Sequence, residues 1–318
     1  MPTDCFVAAT EGNRRMAARA ISRIESGGPE VLEAIAALEP RRKKGPGVPH
    51  VVGITGPPGA GKSTFVNQLV RHARKAGKRV AVVAVDPSSP FSGGAILADR
   101  IRMEEHALDP GVFVRSLSSR GHLGGLCRAA GQVVDLMDAA GWDLIVVETV
   151  GVGQSELAVC EVADTVVVIL TPESGDTVQT MKAGLIEIAD IFVVNKADRA
   201  GAQILCRELE DAVQLDARRA YSAPVFRASA LRDEGIEAVI GGITAHHAWC
   251  EGEGLSTWTA RRQRGRIRTF LDLVGEASRR SALLAVRGKE LPFLLKMEEG
   301  ELSPYAAAHQ WVLHCSNS

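Results

Sequence analysis

The stretch Gly56-Pro-Pro-Gly-Ala-Gly-Lys-Ser63 decides the fold predicted for this chain. It matches the pattern GxxxxGK[ST] and lies between an apolar, strand-like stretch, residues 51–55, and a helix-forming stretch, residues 63–76. The glycines let successive backbone N–H groups turn inward around phosphate oxygens, and the helix directs its positive end at the same anion. The sequence therefore predicts a phosphate-binding loop whose nucleotide-binding residues are Gly56, Pro57, Pro58, Gly59, Ala60, Gly61, Lys62, Ser63 and Thr64.

Short apolar stretches alternate with helical segments on both sides of this loop. They are rich in Val and Ile and comprise residues 51–55, 79–85, 112–116, 144–149, 165–170 and 191–195, with a last short strand predicted over 224–228. Strands that are apolar on both faces and separated by helices indicate a parallel sheet that is covered on both sides. The predicted fold class is α/β, a P-loop NTPase with a mostly parallel sheet covered by helices, plus N- and C-terminal helical extensions.

The two extensions have helical patterns. Residues 11–26 and 30–39 read as amphipathic helices, and residues 40–49 read as a linker rich in Pro, Gly and charge. The chain is predicted to be wholly helical from about residue 233, with a long broken helical stretch over 255–286. We therefore predict three domains, namely an N-terminal helical extension and linker (1–47), a P-loop core (48–232) and a C-terminal helical arm (233–318).

The composition argues against several classes of protein. The chain has 318 residues, with 37 Lys+Arg against 38 Asp+Glu and a net charge of −1, so it lacks the broad basic field of a nucleic-acid or membrane-surface binder. The six cysteines are too far apart in sequence for a zinc motif. The chain begins without a basic region followed by an apolar one. We expect a cytoplasmic protein that binds neither nucleic acid nor membrane.

A second motif, Asn195-Lys-Ala-Asp198 at the end of a predicted strand, selects the nucleotide base. The Asp198 carboxylate can accept hydrogen bonds from N1–H and the exocyclic amine of guanine, whereas adenine has no donor at N1. Asn195 is expected to buttress the loop, and the stem of Lys196 is expected to cover the ring. The tripeptide after the next strand suits a backbone contact with guanine O6 and consists of Ser229, Ala230 and Leu231. The predicted ligand is GTP or GDP.

Acidic residues near strand ends predict a Mg²⁺ site. Glu148 lies in Asp143-Leu-Ile-Val-Val-Glu-Thr-Val-Gly151, where its carboxylate is placed to hold Mg²⁺ and the Gly151 N–H to contact the γ-phosphate. Asp86 ends the second predicted strand, and acids at such ends face the ligand crevice of a doubly wound sheet. Asp99 lies in a glycine-containing stretch further on. The predicted metal ligands are Ser63, Asp86, Asp99 and Glu148.

The hydrolytic residues depart from the usual pattern. Ras-like GTPases commonly have Asp where this chain has Glu148. Their catalytic Gln directly follows the Gly that corresponds to Gly151. Here Val152 follows Gly151, and Gln154 is two residues further on. Lys62, Glu148 and Gln154 are the predicted catalytic residues, with Gln154 as the candidate that orients water. We expect slow hydrolysis of GTP to GDP and phosphate that a partner accelerates.

The order of these motifs resembles the MeaB/ArgK/MMAA-type G-protein chaperones. The resemblance lies in GITGPPGAGKST, AVDPSSP, GGAILADRIRM, SRGHLGG, VVETVGVGQSE, ILTPESGD and VVNKAD. It implies a homodimer, formed through the helical arm, that uses GTP to gate the loading and protection of an adenosylcobalamin-dependent acyl-CoA mutase such as methylmalonyl-CoA mutase. The adenosylcobalamin would be carried by that partner. The resemblance also implies a coupling loop at residues 174–182, with Asp176 and Lys182 as coupling residues.

Three other functions stay open at this point. A GTPase that inserts nickel or cobalt into an enzyme commonly carries His-rich tracts, and His246-His247, expected on a helix surface, is the only pair here. A P-loop small-molecule kinase is disfavoured because most such kinases use ATP. Nucleic-acid binding is raised by five arginines, which at this net charge are expected to pair with acids on a partner or second subunit, namely Arg261, Arg262, Arg264, Arg266 and Arg268.

Overall fold

The structure is a computed structural model, and it describes residues 4–41, 48–86, 104–106, 108–118, 123–149, 159, 162–174, 187–216, 220–288 and 291–316. The chain divides into two compact units, Met1–Arg266 and Ile267–Ser318. This division falls inside a helix. The functional boundary predicted between residues 232 and 233 stays a prediction.

A parallel sheet forms the centre of the first unit. Within the described residues its strands are β1 (His50–Thr55), β2 (Val80–Asp86), β3 (Val112–Ser118), β4 (Leu144–Thr149), β5 (Thr165–Leu170), β6 (Ile191–Val194) and β7 (Val225–Arg227). Their order is β3-β2-β4-β1-β5-β6-β7, and every neighbouring pair is parallel. Each strand lies within two residues of its predicted bounds, because Val and Ile runs that are apolar on both faces suit only a sheet covered on both sides.

Helices cover both faces of this sheet. The first unit contains α1 (Asp4–Thr10), α2 (Arg14–Ser26), α3 (Pro29–Ala36), α4 (Lys62–Lys75), α5 (Leu123–Ala139), α6 (Ala202–Leu215) and α7 (Ile236–Glu251). Buried side chains of α1, α2, α3, α5 and α6 pack on one face, and those of α4 and α7 pack on the other. The strands β1, β4, β5 and β6 are buried along their whole lengths. The predicted α/β fold class is confirmed.

The N-terminal extension differs from its prediction in one respect. The helix expected over residues 11–26 begins only at Arg14, and a separate helix, α1, precedes it. The break is local, since Gly12 has φ +90° and the side chain of Asn13 accepts a hydrogen bond from the Met16 N–H as an N-cap. The resulting helices bury one stripe each against the sheet-covering helix α5.

The C-terminal helices are α8 (Leu255–Gly288), α9 (Pro292–Glu298) and α10 (Pro304–Ser316). Helix α8 is a single helix of 34 residues, not the broken stretch predicted, since it contains no proline and its glycines cost too little to end it. Ser303 caps α10 through the Ala306 N–H, as its sequence predicts. Within the second unit, large apolar side chains are exposed, namely Ile267, Phe270, Leu271, Val274, Leu283, Leu284, Tyr305, Val312 and Leu313.

Candidate nucleotide-binding site

The predicted nucleotide residues lie at the carboxyl ends of the sheet strands. The phosphate loop follows β1, and the Asn195 motif follows β6, separated from β1 only by β5. The segment that contains Ser229 follows β7, the next strand in the sheet. Ligands of open α/β sheets bind in the crevice at this edge. The topology therefore places the phosphate and base motifs along one edge of the sheet.

Backbone conformation in the phosphate loop requires its glycines. Gly56, Gly59 and Gly61 have φ of +142°, +76° and +84°. A Cβ on Gly56 would lie 2.0 Å from the Ile169 carbonyl oxygen, and one on Gly61 would lie 2.5 Å from Asn195 Nδ2. The loop thus packs against both β5 and the base motif, with no room for side chains at these two positions.

Lys62, the first residue of α4, is buried beneath the phosphate loop. Its ammonium group donates hydrogen bonds to the carbonyl oxygens of Gly56 at 2.8 Å and Pro57 at 3.0 Å. Gly61, the residue before α4, has no side chain with which to cap the first N–H groups of the helix. A fixed cation therefore lies beside a helix N-terminus, an arrangement that suits a phosphate chain.

Ser63 and Glu148 meet in the interior, although 85 residues separate them in sequence. The Ser63 hydroxyl donates to Glu148 Oε1 at 2.7 Å, and both side chains belong to residues that are less than a tenth exposed. Strand β4 lies between β1 and β2, and this hydrogen bond places the Glu148 carboxylate at the start of α4. A hydroxyl and a carboxylate oxygen so close together fit the oxygen ligands that Mg²⁺ prefers. Asp86 ends the adjacent strand β2.

Asn195 joins the phosphate loop to residues 229–231, the segment predicted to contact the base. Its side chain is almost completely buried, and its amide group donates to the Ala60 carbonyl oxygen at 2.8 Å while accepting from the Ala230 N–H at 3.0 Å. The Ala230 carbonyl oxygen in turn accepts from Gln68 of α4 at 3.0 Å. Asn195 thus buttresses both loops, as its motif predicts. Gln68 was not predicted, because its role depends on a contact 162 residues away in sequence.

The Asp198 carboxylate lies at the outer edge of the same site. Ser229 Oγ donates to its Oδ1 atom at 3.0 Å, and this hydrogen bond is the main cause that holds the pKa of Asp198 below its usual value. Lys196 has φ +55°, an uncommon backbone conformation for a residue with a side chain. Leu231 is exposed. The structure therefore brings together the predicted base-contacting residues with an ionised carboxylate among them.

Glu173, which was not assigned a role from sequence, connects the loop after β5 with the base motif. Its carboxylate pairs with Arg199 and lies 3.5 Å from the Lys196 ammonium. The Arg199 hydrogen bond lowers the pKa of Glu173 to about 2. Glu173 directly precedes residues 174–182, so its position in ILTPESGD was the available signal.

Several predicted site residues lie outside the described part of the chain. They are Asp99, Gly151, Gln154, Asp176 and Lys182, and for Asp86 only the backbone is described. Thr64 lies in the first turn of α4, and Pro58 and Gly59 form the tip of the phosphate loop. Their roles stay predictions.

A separate polar cluster lies at the amino ends of β5 and β6, opposite the nucleotide edge. Asp164 and Asp190 directly precede these strands and accept from the N–H groups of Val51 and Val166. Arg262 makes a bidentate pair with Asp164, and Arg261 makes one with Asp190. The expectation that these two arginines pair outside the chain was wrong. The available sequence signal was the aspartate directly before each apolar strand, which could have been predicted to pair with an arginine of the same chain.

The His246-His247 pair belongs to this cluster and not to a helix surface. His246 is 1% exposed and shares a hydrogen bond of 2.7 Å with Thr165, which also contacts His50 at 2.7 Å. His247 stacks on His50 with ring centroids 4.1 Å apart. The described residues contain no group of three or more His, Cys, Asp or Glu that could hold a metal ion. A cavity of about 420 Å³ opens beside His246.

The parallel sheet, the glycine-dependent phosphate loop and the Asn195–Asp198 motif define a P-loop GTPase. The sequence model of the family described as methylmalonyl-CoA mutase-associated GTPase MeaB matches residues 17–282. The chain therefore belongs to the MeaB family of P-loop GTPases. None of the helices in the described ranges is long and apolar enough to cross a membrane.

Individual relatives agree with this assignment. The chain is 42% identical over 303 residues to a putative GTPase of Pyrococcus abyssi, covering 94% of this chain and 92% of the relative. It is 37% identical over 246 residues to the mitochondrial methylmalonic aciduria type A homolog of Mus musculus, covering 73% of this chain and 59% of that protein. A solved structure described as LAO/AO transport system kinase aligns with a TM-score of 0.65 at 26% identity, covering 99% of this chain and 97% of that one.

Proposed function

We propose that this GTPase is a chaperone that gates the loading of adenosylcobalamin into an acyl-CoA mutase such as methylmalonyl-CoA mutase, and that protects the loaded enzyme. The observation that carries the proposal is the match of most of the chain to a family described as mutase-associated. The adenosylcobalamin belongs to the mutase in this proposal. The GTPase supplies a nucleotide-dependent conformational signal in the cytoplasm.

In the proposed reaction, water attacks the γ-phosphorus of GTP, and the bond to the β,γ-bridging oxygen breaks to give GDP and phosphate. Lys62 and the N–H groups of the phosphate loop stabilise negative charge on the phosphoryl oxygens. Gln154 orients the water, and the Gly151 N–H contacts the γ-phosphate. Ser63 and Glu148, with Asp86 and Asp99, would hold Mg²⁺, which neutralises charge on the β- and γ-phosphates when bound.

Reaction rate is the first test of the chaperone proposal. GTP hydrolysis is measured for the purified protein alone and with methylmalonyl-CoA mutase, and adenosylcobalamin transfer to the mutase is followed spectroscopically with GTP or GDP present. We expect slow hydrolysis alone and clear stimulation by the mutase, with transfer that differs between GTP and GDP. Absence of stimulation together with nucleotide-independent transfer would remove the proposal.

Coupling to the mutase is assigned to Asp176 and Lys182. Alanine variants at these positions should leave hydrolysis by the isolated GTPase close to wild type and abolish the stimulation by the mutase. The matched control is Glu208→Ala, which removes an exposed charge on α6 outside residues 174–182. Equal stimulation in all variants would show that these residues do not couple the two proteins.

Mg²⁺ binding is tested separately from base recognition. Ser63→Ala and Glu148→Gln each remove an oxygen ligand, so the Mg²⁺ concentration that half-saturates GTP hydrolysis should rise in both variants. Unchanged Mg²⁺ dependence in both would contradict the assignment. Thermal unfolding without nucleotide serves as the control for folding, because the pair is buried.

We also propose a homodimer that forms through the second unit. Its exposed apolar side chains on α8 and α10 support this proposal, because such surfaces commonly mark protein interfaces. Light scattering should give twice the mass of one chain, and Phe270→Glu with Val274→Glu should halve it. A monomer in the wild type would refute the dimer.

The two alternative functions, a small-molecule kinase and a GTPase that inserts nickel or cobalt, can be tested with the same purified proteins. The similar solved structure is described as a LAO/AO transport system kinase, so a kinase is tested by measuring phosphoryl transfer from ATP and from GTP to small-molecule acceptors. A nickel- or cobalt-insertion function would require stoichiometric binding of either metal by this chain. The kinase is not expected, because Asp198 favours guanine. For nickel or cobalt, the described residues contain no group of three or more His, Cys, Asp or Glu that could hold a metal ion.

A further inference from the structure

Arg232 lies beside the carboxylate that is assigned to guanine. Its Nη2 atom is 3.3 Å from Asp198 Oδ2, while Ser229 Oγ donates to Asp198 Oδ1 at 3.0 Å. Both oxygens of the Asp198 carboxylate therefore have a donor or a cation from the chain itself. Of these two partners, Arg232 is the charged and the more exposed one, with 57% of its side chain accessible to solvent.

The backbone around Arg232 is fixed, although its side chain is exposed. The Arg232 N–H donates to the Ser229 carbonyl oxygen at 3.0 Å, and Ser229 and Glu234 exchange hydrogen bonds of 2.9 and 3.2 Å. Gly235 closes the turn with φ +73°, where a Cβ would lie 2.3 Å from the Arg227 carbonyl oxygen. The turn thus presents Arg232 at a set place, from which its long side chain can reach Asp198 or rotate away.

The two groups that Asp198 can bind have the same donor pattern. Guanine presents N1–H and the C2 amine, which are two N–H donors in one plane on either side of a single carbon. A guanidinium group presents two N–H donors in the same arrangement and adds a positive charge. An aspartate that is suited to the guanine edge is therefore also suited to arginine, and it cannot bind both through the same oxygen in the same direction.

We propose that Arg232 is an intramolecular competitor of guanine, which occupies Asp198 and must be displaced when GTP or GDP binds. The inference rests on the proposed assignment of Asp198 to guanine. Apparent affinity is reduced by the fraction of molecules in which Asp198 is open. Exposed ion pairs are weak, so Arg232 reduces the affinity by about two- to fivefold at low salt, and by less where salt screens the pair.

Kinetics of a fluorescent GDP analogue test this competition. Arg232→Ala should raise the association rate constant about two- to fivefold and leave the dissociation rate constant unchanged. The increase should shrink in about 0.5 M NaCl. Arg232→Lys, which keeps the charge but loses the planar fork, should give a smaller increase. The matched control is Arg207→Ala on an exposed face of α6, which should change neither rate constant.

Two results would overturn the competition. Unchanged association in Arg232→Ala would show that the ion pair does not limit access to Asp198. Faster dissociation or weaker binding in that variant would show that Arg232 contacts the bound nucleotide and supports its binding. Arg232 is exposed and packs into no core, so a folding defect is not expected; a thermal melt checks this directly.

A second variant separates this inference from the base assignment. Asp198→Asn should shift binding from guanosine to xanthosine diphosphate, and in that background Arg232→Ala should have no effect, because no carboxylate remains for the arginine. A base shift without any effect of Arg232→Ala in the wild-type background overturns only the competition. Retained guanosine preference in Asp198→Asn overturns the base assignment, and the competition with it.

Discussion

Replacing Asn195 by alanine tests whether one buried side-chain amide holds the phosphate loop and residues 229–231 together. The side chain is 2% exposed and makes two hydrogen bonds, to the Ala60 carbonyl oxygen at 2.8 Å and from the Ala230 N–H at 3.0 Å. The variant leaves both backbone groups buried without this partner, at a cost of about 1–3 kcal/mol each. The free energy of unfolding should therefore fall by about 2–6 kcal/mol, and Tm by several degrees.

Nucleotide binding supplies the second part of this prediction. A ligand at one hundred times its Kd stabilises the folded protein by about 2.7 kcal/mol. If loss of the Asn195 bridge weakens GDP binding tenfold, the same GDP concentration stabilises the variant by only about 1.4 kcal/mol. The assay is thermal or urea unfolding of each protein, with and without GDP.

Two further variants make the Asn195 result specific. Asn195→Asp keeps an acceptor for the Ala230 N–H but turns a carboxylate oxygen toward the Ala60 carbonyl oxygen, so it should be no more stable than the alanine variant. Gln203→Ala on the exposed side of α6 is the matched amide control and should resemble wild type. Unchanged Tm and unchanged GDP stabilisation in Asn195→Ala would refute the bridging role.

The remaining predictions concern the phosphate loop and the cluster at the opposite edge of the sheet. Gly56→Ala, whose Cβ would lie 2.0 Å from a carbonyl oxygen of β5, should lose at least about 2 kcal/mol of stability in urea unfolding, and Gly59→Ala, with no atom within 4 Å of its Cβ, should lose less. Arg261→Ala breaks a bidentate pair with a buried carboxylate and should cost about 2–4 kcal/mol in the same assay, whereas Arg264→Ala on the exposed side should stay within about 0.5 kcal/mol. Burial lowers the pKa of His50 to about 3, so the unfolded chain binds the extra proton between about pH 6.5 and pH 3, and stability falls as the pH falls through that window. His50→Asn should flatten this acid dependence by up to about 1.4 kcal/mol per pH unit in urea unfolding, and an unchanged slope would contradict the burial argument.

The strands and the two nucleotide motifs could be predicted from the sequence because their signals are local. A strand that is apolar on both faces is stable only in a sheet that is covered on both sides. The glycines of GxxxxGK[ST] are required by the conformation of the phosphate loop itself. The expected strand bounds therefore agree with the structure within two residues, and the Asn195 buttress was anticipated from its motif. Hydrophobic periodicity did not locate the start of the first predicted helix. Gly12 and the N-cap Asn13 lie inside the amphipathic stretch, so the helix begins only after them.

Tertiary structure decided which distant residues become neighbours. The sequence alone determined a phosphate loop, a guanine-type motif and an α/β fold, because each depends on spacing within a few residues. The partners of Asp164, Asp190 and Asp198 depend on the strand order and on where α8 begins, which no local pattern specifies. Arg261 and Arg232 carry the same charge in the sequence, but one holds a helix to the sheet and the other reaches the base-recognition carboxylate. The physical reason is that an ion pair forms between groups that the folded chain brings within a few ångströms, whatever their separation in sequence.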